Sequence, residues 1–288
     1  MKAGRIGAIC VAVGLVIALA VTAVPATAQD ALICRKRDKQ GDKSGGVTRL
    51  GKKDDNYNAG DGNDTLYGGP GDDILNGGRG NDKIYGGPGD DVVCGGLGND
   101  KVFGEDGDDE VYGEEDNDFL DGGPGSDYMN GQAGRDRIFG YGTQNGQDVA
   151  EGNDFIEGSF DQDVIVVGGF DIAYGGADDD MIFSKTPDLG AERLDGGLND
   201  DTIIGSDGGD DKLIFGDAGD DTLRGGGGAD EIRGGNNDDM LFGDVGADML
   251  FGELGKDTLS GGPDDDVCDG GDQDDGTDGS CERKLDIP

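Results

Sequence analysis

The sequence predicts an all-β solenoid, on the strength of three regularities. A nine-residue unit, Gly-Gly-x-Gly-x-Asp-x-U-x with U a large apolar residue, fills residues 59–139 and again 216–269 without a gap. Self-similarity at a fixed short period marks a repeat architecture, in which each unit contacts mainly its neighbours. Aspartate holds the sixth position throughout: Asp64, Asp73, Asp82, Asp91, Asp100, Asp109, Asp118, Asp127 and Asp136, then Asp221, Asp230, Asp239, Asp248, Asp257 and Asp266. The eighth position of the first block reads Leu66, Leu75, Ile84, Val93, Val102, Val111, Leu120, Met129 and Ile138. Side chains alternate across a strand, so one inward residue per unit stacks into a single-file core.

In the unit Gly68-Gly69-Pro70-Gly71-Asp72-Asp73-Ile74-Leu75-Asn76 each residue type has a separate task. The glycines allow positive φ and close backbone approach, as a tight turn requires. Such a turn aims several carbonyl oxygens at one place, and Asp73 adds a carboxylate there. Hard oxygen donors in flexible geometry suit Ca²⁺ better than the softer metals. Ile74-Leu75-Asn76 then forms a strand too short to stand alone, with Leu75 turned inward.

On these residues the chain resembles the RTX, or haemolysin-type calcium-binding repeat, family. The resemblance implies a parallel β-roll, a calcium-bound β-solenoid with two nonapeptides per turn of eighteen residues. It also implies several Ca²⁺ ions between successive turns, held by Asp carboxylates and by carbonyls of the Gly-rich loops. Under that implication the aspartates above are metal ligands. So are Asp154, Asp163, Asp180, Asp201 and Asp211, which keep an Asp-x-U pattern between the blocks. Glu105, Glu114 and Glu253 replace the second glycine, and Asp116, Asn237 and Asp264 the fourth, with side chains that still offer oxygen. At about 4.8 Å per turn, some ten turns make a rod of roughly 50 Å.

Composition points the same way. Asp and Glu number 64 against 23 Lys and Arg, a net charge of −41, and 62 residues are glycine. Such a chain cannot recover its conformational entropy by burial alone, so metal binding is expected to be its folding free energy. A permanently disordered acidic tail is the competing reading, but it leaves the register of apolar residue and aspartate unexplained. Acid is expected to compete with the metal for the carboxylates and to unfold the roll.

Along the chain, residues 1–28 read as a secretory signal peptide: a basic start at Lys2 and Arg5, an apolar run, and Ala26-Thr27-Ala28 before Gln29. An uncleaved N-terminal anchor is the alternative. Residues 29–58 form a basic arm and cap with one degenerate repeat, carrying Arg35, Lys36, Arg37, Lys39, Lys43, Arg49, Lys52 and Lys53. That arm either folds against the acidic roll or contacts an anionic cell-envelope polymer or surface; nucleic acid would be repelled by the whole molecule. Residues 59–139 are the first regular block. Residues 140–215 keep the theme irregularly, with insertions at 140–148 and 184–194, and read as a continuing roll against a hinge between two rolls. Residues 216–269 are the second block and 270–288 a cap and tail. Four cysteines remain beyond the signal and allow three pairings; their positions suggest Cys34 with Cys94 and Cys268 with Cys281, each tying an end onto its block, with free thiols or a metal site the alternative.

Tyr67, Tyr85, Phe103 and Phe139 fall on one outer sheet face, interrupted by Asp121. They either stabilise the sheet pairwise or form a patch for a partner or a second copy. Histidine is absent, no nucleophile motif or phosphate loop occurs, and carboxylate pairs recur every nine residues, as structural ligands do. The sequence therefore points away from an enzyme. It points to a secreted, extracellular or cell-surface calcium-binding protein of structural or adhesive role. An extracellular calcium buffer is the alternative, and a polysaccharide-acting enzyme or accessory module a distant one.

Overall fold

The computed structural model describes residues 45–140, 153–185, 190–191, 193–209, 211, 213–271 and 281, with strand segments 39–40, 142–144, 147–149, 276–277 and 283–284. The signal reading of residues 1–28, Cys34, and the arm residues Arg35, Lys36, Arg37 and Lys43 lie outside the described residues.

Consecutive strands of the repeats alternate between two parallel sheets, one of fourteen strands and one of thirteen, here termed the first and second sheets. Leu75 lies beside Val93 in the first sheet and Leu66 beside Ile84 in the second, the eighteen-residue step of a β-roll. About eleven turns stack this way, with no helix among the described residues. The position-eight side chains lie between the sheets in one file; Leu75, Ile84, Val93 and Leu120 are all 0 % exposed. Full burial of each such side chain stabilises by about 1.5–3 kcal/mol.

Strand length departs from the three residues expected for every unit. First-sheet strands such as Ile74–Arg79 and Val92–Leu97 run six residues, through the glycines of the following unit. Second-sheet strands such as Thr65–Tyr67 and Lys83–Tyr85 stop at three. Pro70, Pro88 and Pro124 stand at the third position after second-sheet strands, and proline has no N–H to extend a ladder, although Lys101–Phe103 and Thr202–Ile204, with Asp106 and Asp207 at that place, stop at three as well. Where Gly227 or Val245 takes that place, the strands lengthen to Thr222–Gly227 and Met240–Val245. With Pro263 following, Thr258–Ser260 is short again.

Both sheets pass through the irregular middle without a break, as one roll. In the first, Met129 pairs with Ile156, Ile156 with Ala173, Ala173 with Leu194, and Leu194 with Ile214. Part of the first insertion leaves the sheets as an antiparallel pair, Gly142–Gln144 with Gln147–Val149. At the C-terminal end Cys268 and Cys281 form a disulfide, and strand Val267–Asp269 pairs with Arg283–Lys284. Cys94 is also disulfide-bonded.

The substituted glycine positions keep the glycine conformation. Glu105, Glu114 and Glu253 have φ of 78°, 80° and 74°, and Asp116, Asn237 and Asp264 have 76°, 82° and 94°. The stacked turns thus hold L-residues in a left-handed region that costs them roughly 1–2 kcal/mol each. On the outer face of the second sheet the aromatic file is unbroken. Tyr67, Tyr85 and Phe103 stack at 4.8 and 4.9 Å, and the ring of Phe119 bridges the gap at Asp121, 5.7 Å from Phe103 and 5.0 Å from Phe139. Phe119 sits at position seven, two residues from the file in sequence, and its ring leans into the space beside the smaller Asp121.

Candidate metal sites

Each loop that joins the sheets delivers its position-six aspartate to an edge of the roll. Loops entering the first sheet build the first edge, and loops entering the second sheet the second edge. The aspartates are as buried as the core: Asp73, Asp91 and Asp109 are 1 % exposed and Asp221 is 0 %. One carboxylate oxygen has a fixed task. Oδ1 of Asp91 accepts from the backbone N–H of Asp73 at 2.7 Å, and Oδ1 of Asp100 from that of Asp82 at 2.7 Å. The ladder continues through Asp109, Asp118, Asp127 and Asp136, crosses the middle through Asp163, Asp180 and Asp201, and reaches Asp221 and Asp239. Position five works in the opposite direction, its side chain accepting from the following turn: Asp90 N–H donates to Asp72 Oδ1 at 3.3 Å and Asn81 N–H to Asn63 Oδ1 at 3.0 Å.

The other oxygen is different. On the first edge, Oδ2 of Asp73, Asp91, Asp109, Asp127 and Asp248 is buried without a hydrogen-bond partner. The same holds on the second edge for Asp82, Asp100, Asp118, Asp136, Asp163, Asp180, Asp201, Asp221 and Asp239. A buried acceptor left unmet costs about 1–3 kcal/mol, more when charged, and its repetition along both edges marks a place where a cation would relieve that cost. The first glycine of each unit leaves the room. A Cβ on Gly86 would lie under 3.0 Å from both Asp91 Oδ2 and the carbonyl oxygen of Gly104 in the next turn, and one on Gly77 would meet Asp82 Oδ2 and Gly95 O likewise. A carboxylate oxygen and a carbonyl oxygen from stacked loops thus converge on one cradle per unit. Among the described residues no group of three or more His, Cys, Asp or Glu side chains is placed to hold a metal, so backbone carbonyls must complete any coordination shell. An all-oxygen set of carboxylate and carbonyl fits Ca²⁺.

Electrostatics fits the same need. Burial first, and neighbouring carboxylates after the backbone hydrogen bond, push Asp118, Asp163 and Asp201 up to about 9, and Asp91 and Asp239 to about 8. Asp82, Asp221 and Asp248 rise to about 6, again mainly by burial. A cation in the cradles would reverse that penalty.

Two rungs escaped the sequence reading. Asp171 is 2 % exposed, and its Oδ1 accepts from the Asp154 N–H at 2.9 Å. Its unit has Ala173 at the core position, which hid the Asp-x-U signal. Asp55 is the rung below Asp73, donating its N–H to Asp73 Oδ1 at 2.7 Å. Asp211, by contrast, was expected as a ligand, and both of its oxygens accept backbone N–H groups, from Ala191 and Ser206 at 2.6 Å each.

The family model for the RTX calcium-binding nonapeptide repeat matches residues 51–84, 67–102, 95–129, 103–138, 150–170, 167–185, 215–250 and 242–276. No curated protein is significantly similar to the chain. Among the described residues no helix is long and apolar enough to cross a membrane.

Proposed function

This chain belongs to the RTX calcium-binding nonapeptide repeat family, and we propose that its aspartate ladders bind a file of Ca²⁺ ions along each edge of the roll. The observation that carries this is the repeated orphan: a buried Asp Oδ2 without a partner, facing a glycine carbonyl of the next turn. The ligands are the position-six aspartates with those carbonyls. Each ion removes two of the chain's 41 net negative charges, so roughly twenty would neutralise it. Binding and folding are then one equilibrium, because the cradles exist only when turns stack.

The biological reading is a secreted, extracellular protein whose calcium-built rod serves a structural or adhesive role at the cell surface. Secretion places folding where calcium is abundant. What favours adhesion over simple calcium buffering is the outer face of the second sheet. There Lys83, Lys101 and Arg137 alternate with the aromatic file, exposed. Lys83 lies over the rings of Tyr85 and Phe103 at 5.1 and 5.8 Å. Farther along the roll, Arg224 and Arg233 are instead paired with Asp244, Glu231 and Glu253. A cationic, aromatic strip on a polyanion suits an anionic envelope polymer.

The test is a Ca²⁺ titration of residues 29–288 followed by far-UV circular dichroism, with Mg²⁺ as control. A sharp coil-to-β transition with Ca²⁺ and none with Mg²⁺ is expected. A chain equally folded in chelator sinks the proposal. Retention of the protein on the envelope of the producing cells separates the adhesive role from a free buffer.

A further inference from the structure

Resting on the calcium reading above, we propose that the ion file of the first edge is interrupted. Asp171 and Asp211 are metal-free rungs, closed by backbone N–H groups, that separate two calcium-bound runs, while the second edge stays continuous.

At a regular rung Oδ2 has no donor. At Asp171 it has one: the Gly168 N–H, at 2.8 Å. The Asp171 N–H returns a bond to the Gly168 carbonyl at 3.3 Å, so the loop closes on itself as a tight turn. Asp211 is built differently to the same end. Ser206 N–H donates to its Oδ2 at 2.6 Å, and the Ser206 hydroxyl locks that turn by donating to the Gly209 carbonyl at 2.8 Å and accepting the Gly209 N–H at 3.1 Å. Ser206 and Asp211 are both 0 % exposed.

Loop length is the cause. Asp171 follows the core residue before its loop, Ile165, by six residues and Asp211 follows Ile203 by eight, where regular units such as Ile84 to Asp91 have seven. Either change swings an N–H onto an oxygen that the seven-residue spacing leaves bare, as it does at Asp221 after Ile214. A carboxylate accepting N–H donors at both oxygens has its acceptors met without a metal. Calcium would have to break one buried bond there and strand the donor, at a cost of about 1–3 kcal/mol that a regular rung does not bear. On the second edge Asp163, Asp180 and Asp201 flank these loops and retain the bare Oδ2. The empty-handed oxygen therefore follows loop length, edge by edge, and not position along the rod.

The experiment counts ions by native mass spectrometry on calcium-saturated full chain, comparing Asp171→Asn with Asp180→Asn. Asp180→Asn is expected to lose at least one ion and Asp171→Asn none. If Asp171→Asn loses as many as Asp180→Asn, the interruption is wrong although the ladder stands. If Asp180→Asn loses none, the ladder reading itself falls and this inference with it. Amide exchange on the unaltered chain guards against misfolding of a variant. In saturating Ca²⁺ the Gly168 and Ser206 amides should exchange slowly; exchange as fast as an unbonded loop amide would mean that metal has displaced them.

Discussion

Gly86→Ala is the sharpest perturbation of a single cradle. Gly86 does not occupy the left-handed region, so alanine can take its backbone conformation. The added methyl, however, would stand 2.6 Å from the Gly104 carbonyl oxygen and closer still to Asp91 Oδ2, where ordinary contact begins at 3.4 Å. The side chain can rotate away; the carbonyl is held in the next turn by the Gly87 N–H at 3.1 Å. The methyl therefore sits where the ion should. Losing a site loaded at 100 times its Kd removes about 2.7 kcal/mol of folding free energy. At about 2–4 °C per kcal/mol for a chain of this size, the midpoint should fall by roughly 5–10 °C. Gly51→Ala is the control, because a Cβ there meets only Asp55 Oδ2, at 3.9 Å. Isothermal titration and thermal unfolding across a calcium series supply the readouts. The variant should bind at least one ion fewer, and its deficit should shrink as calcium is withdrawn, leaving only the steric part. An unchanged ion count with a calcium-independent deficit would refute the cradle and leave mere crowding.

Three further outcomes are expected. The metal-free roll should prefer acid: its aspartates rise to between about 6 and 9 when folded against about 3.9 unfolded, so the stability present below the unfolded value is lost as pH rises through the folded ones. In chelator, circular dichroism should thus show more β-structure at pH 5 than at pH 9, while in calcium acid displaces ions; equal signals at both pH values would contradict the burial of these groups. Glu105→Gly should raise stability by roughly 0.5–1 kcal/mol in chemical denaturation, since glycine relieves a φ of 78° at some entropic cost; a loss instead would assign Glu105 a bonding role. Cys268→Ser should cost about 3 kcal/mol for a loop of 13 residues, with limited proteolysis cutting first after Asp269. Cleavage elsewhere would show that the disulfide does not hold that end.

The expectation that acid competes with the metal and unfolds the roll concerns the calcium-loaded chain; the metal-free chain is a separate case. Sequence does not report burial of individual oxygens, and it is burial that reverses the sign for the metal-free chain. Phe119 could not be placed in the aromatic file from its position. Its ring crosses two places to fill a space that only the packed sheet creates.

The period of nine, the aspartate at six and the apolar residue at eight are local facts, and they determined the all-β roll, its single-file core and the oxygen chemistry of its edges. The tertiary structure decided which of those oxygens are bare. Each regular carboxylate meets its donor or its carbonyl only across a full turn of chain, between loops eighteen residues apart, and a loop one residue shorter or longer ahead of the aspartate hands it a backbone N–H instead. Residue identity sets what a side chain can bind; stacking of one turn on the next sets what it is left to bind.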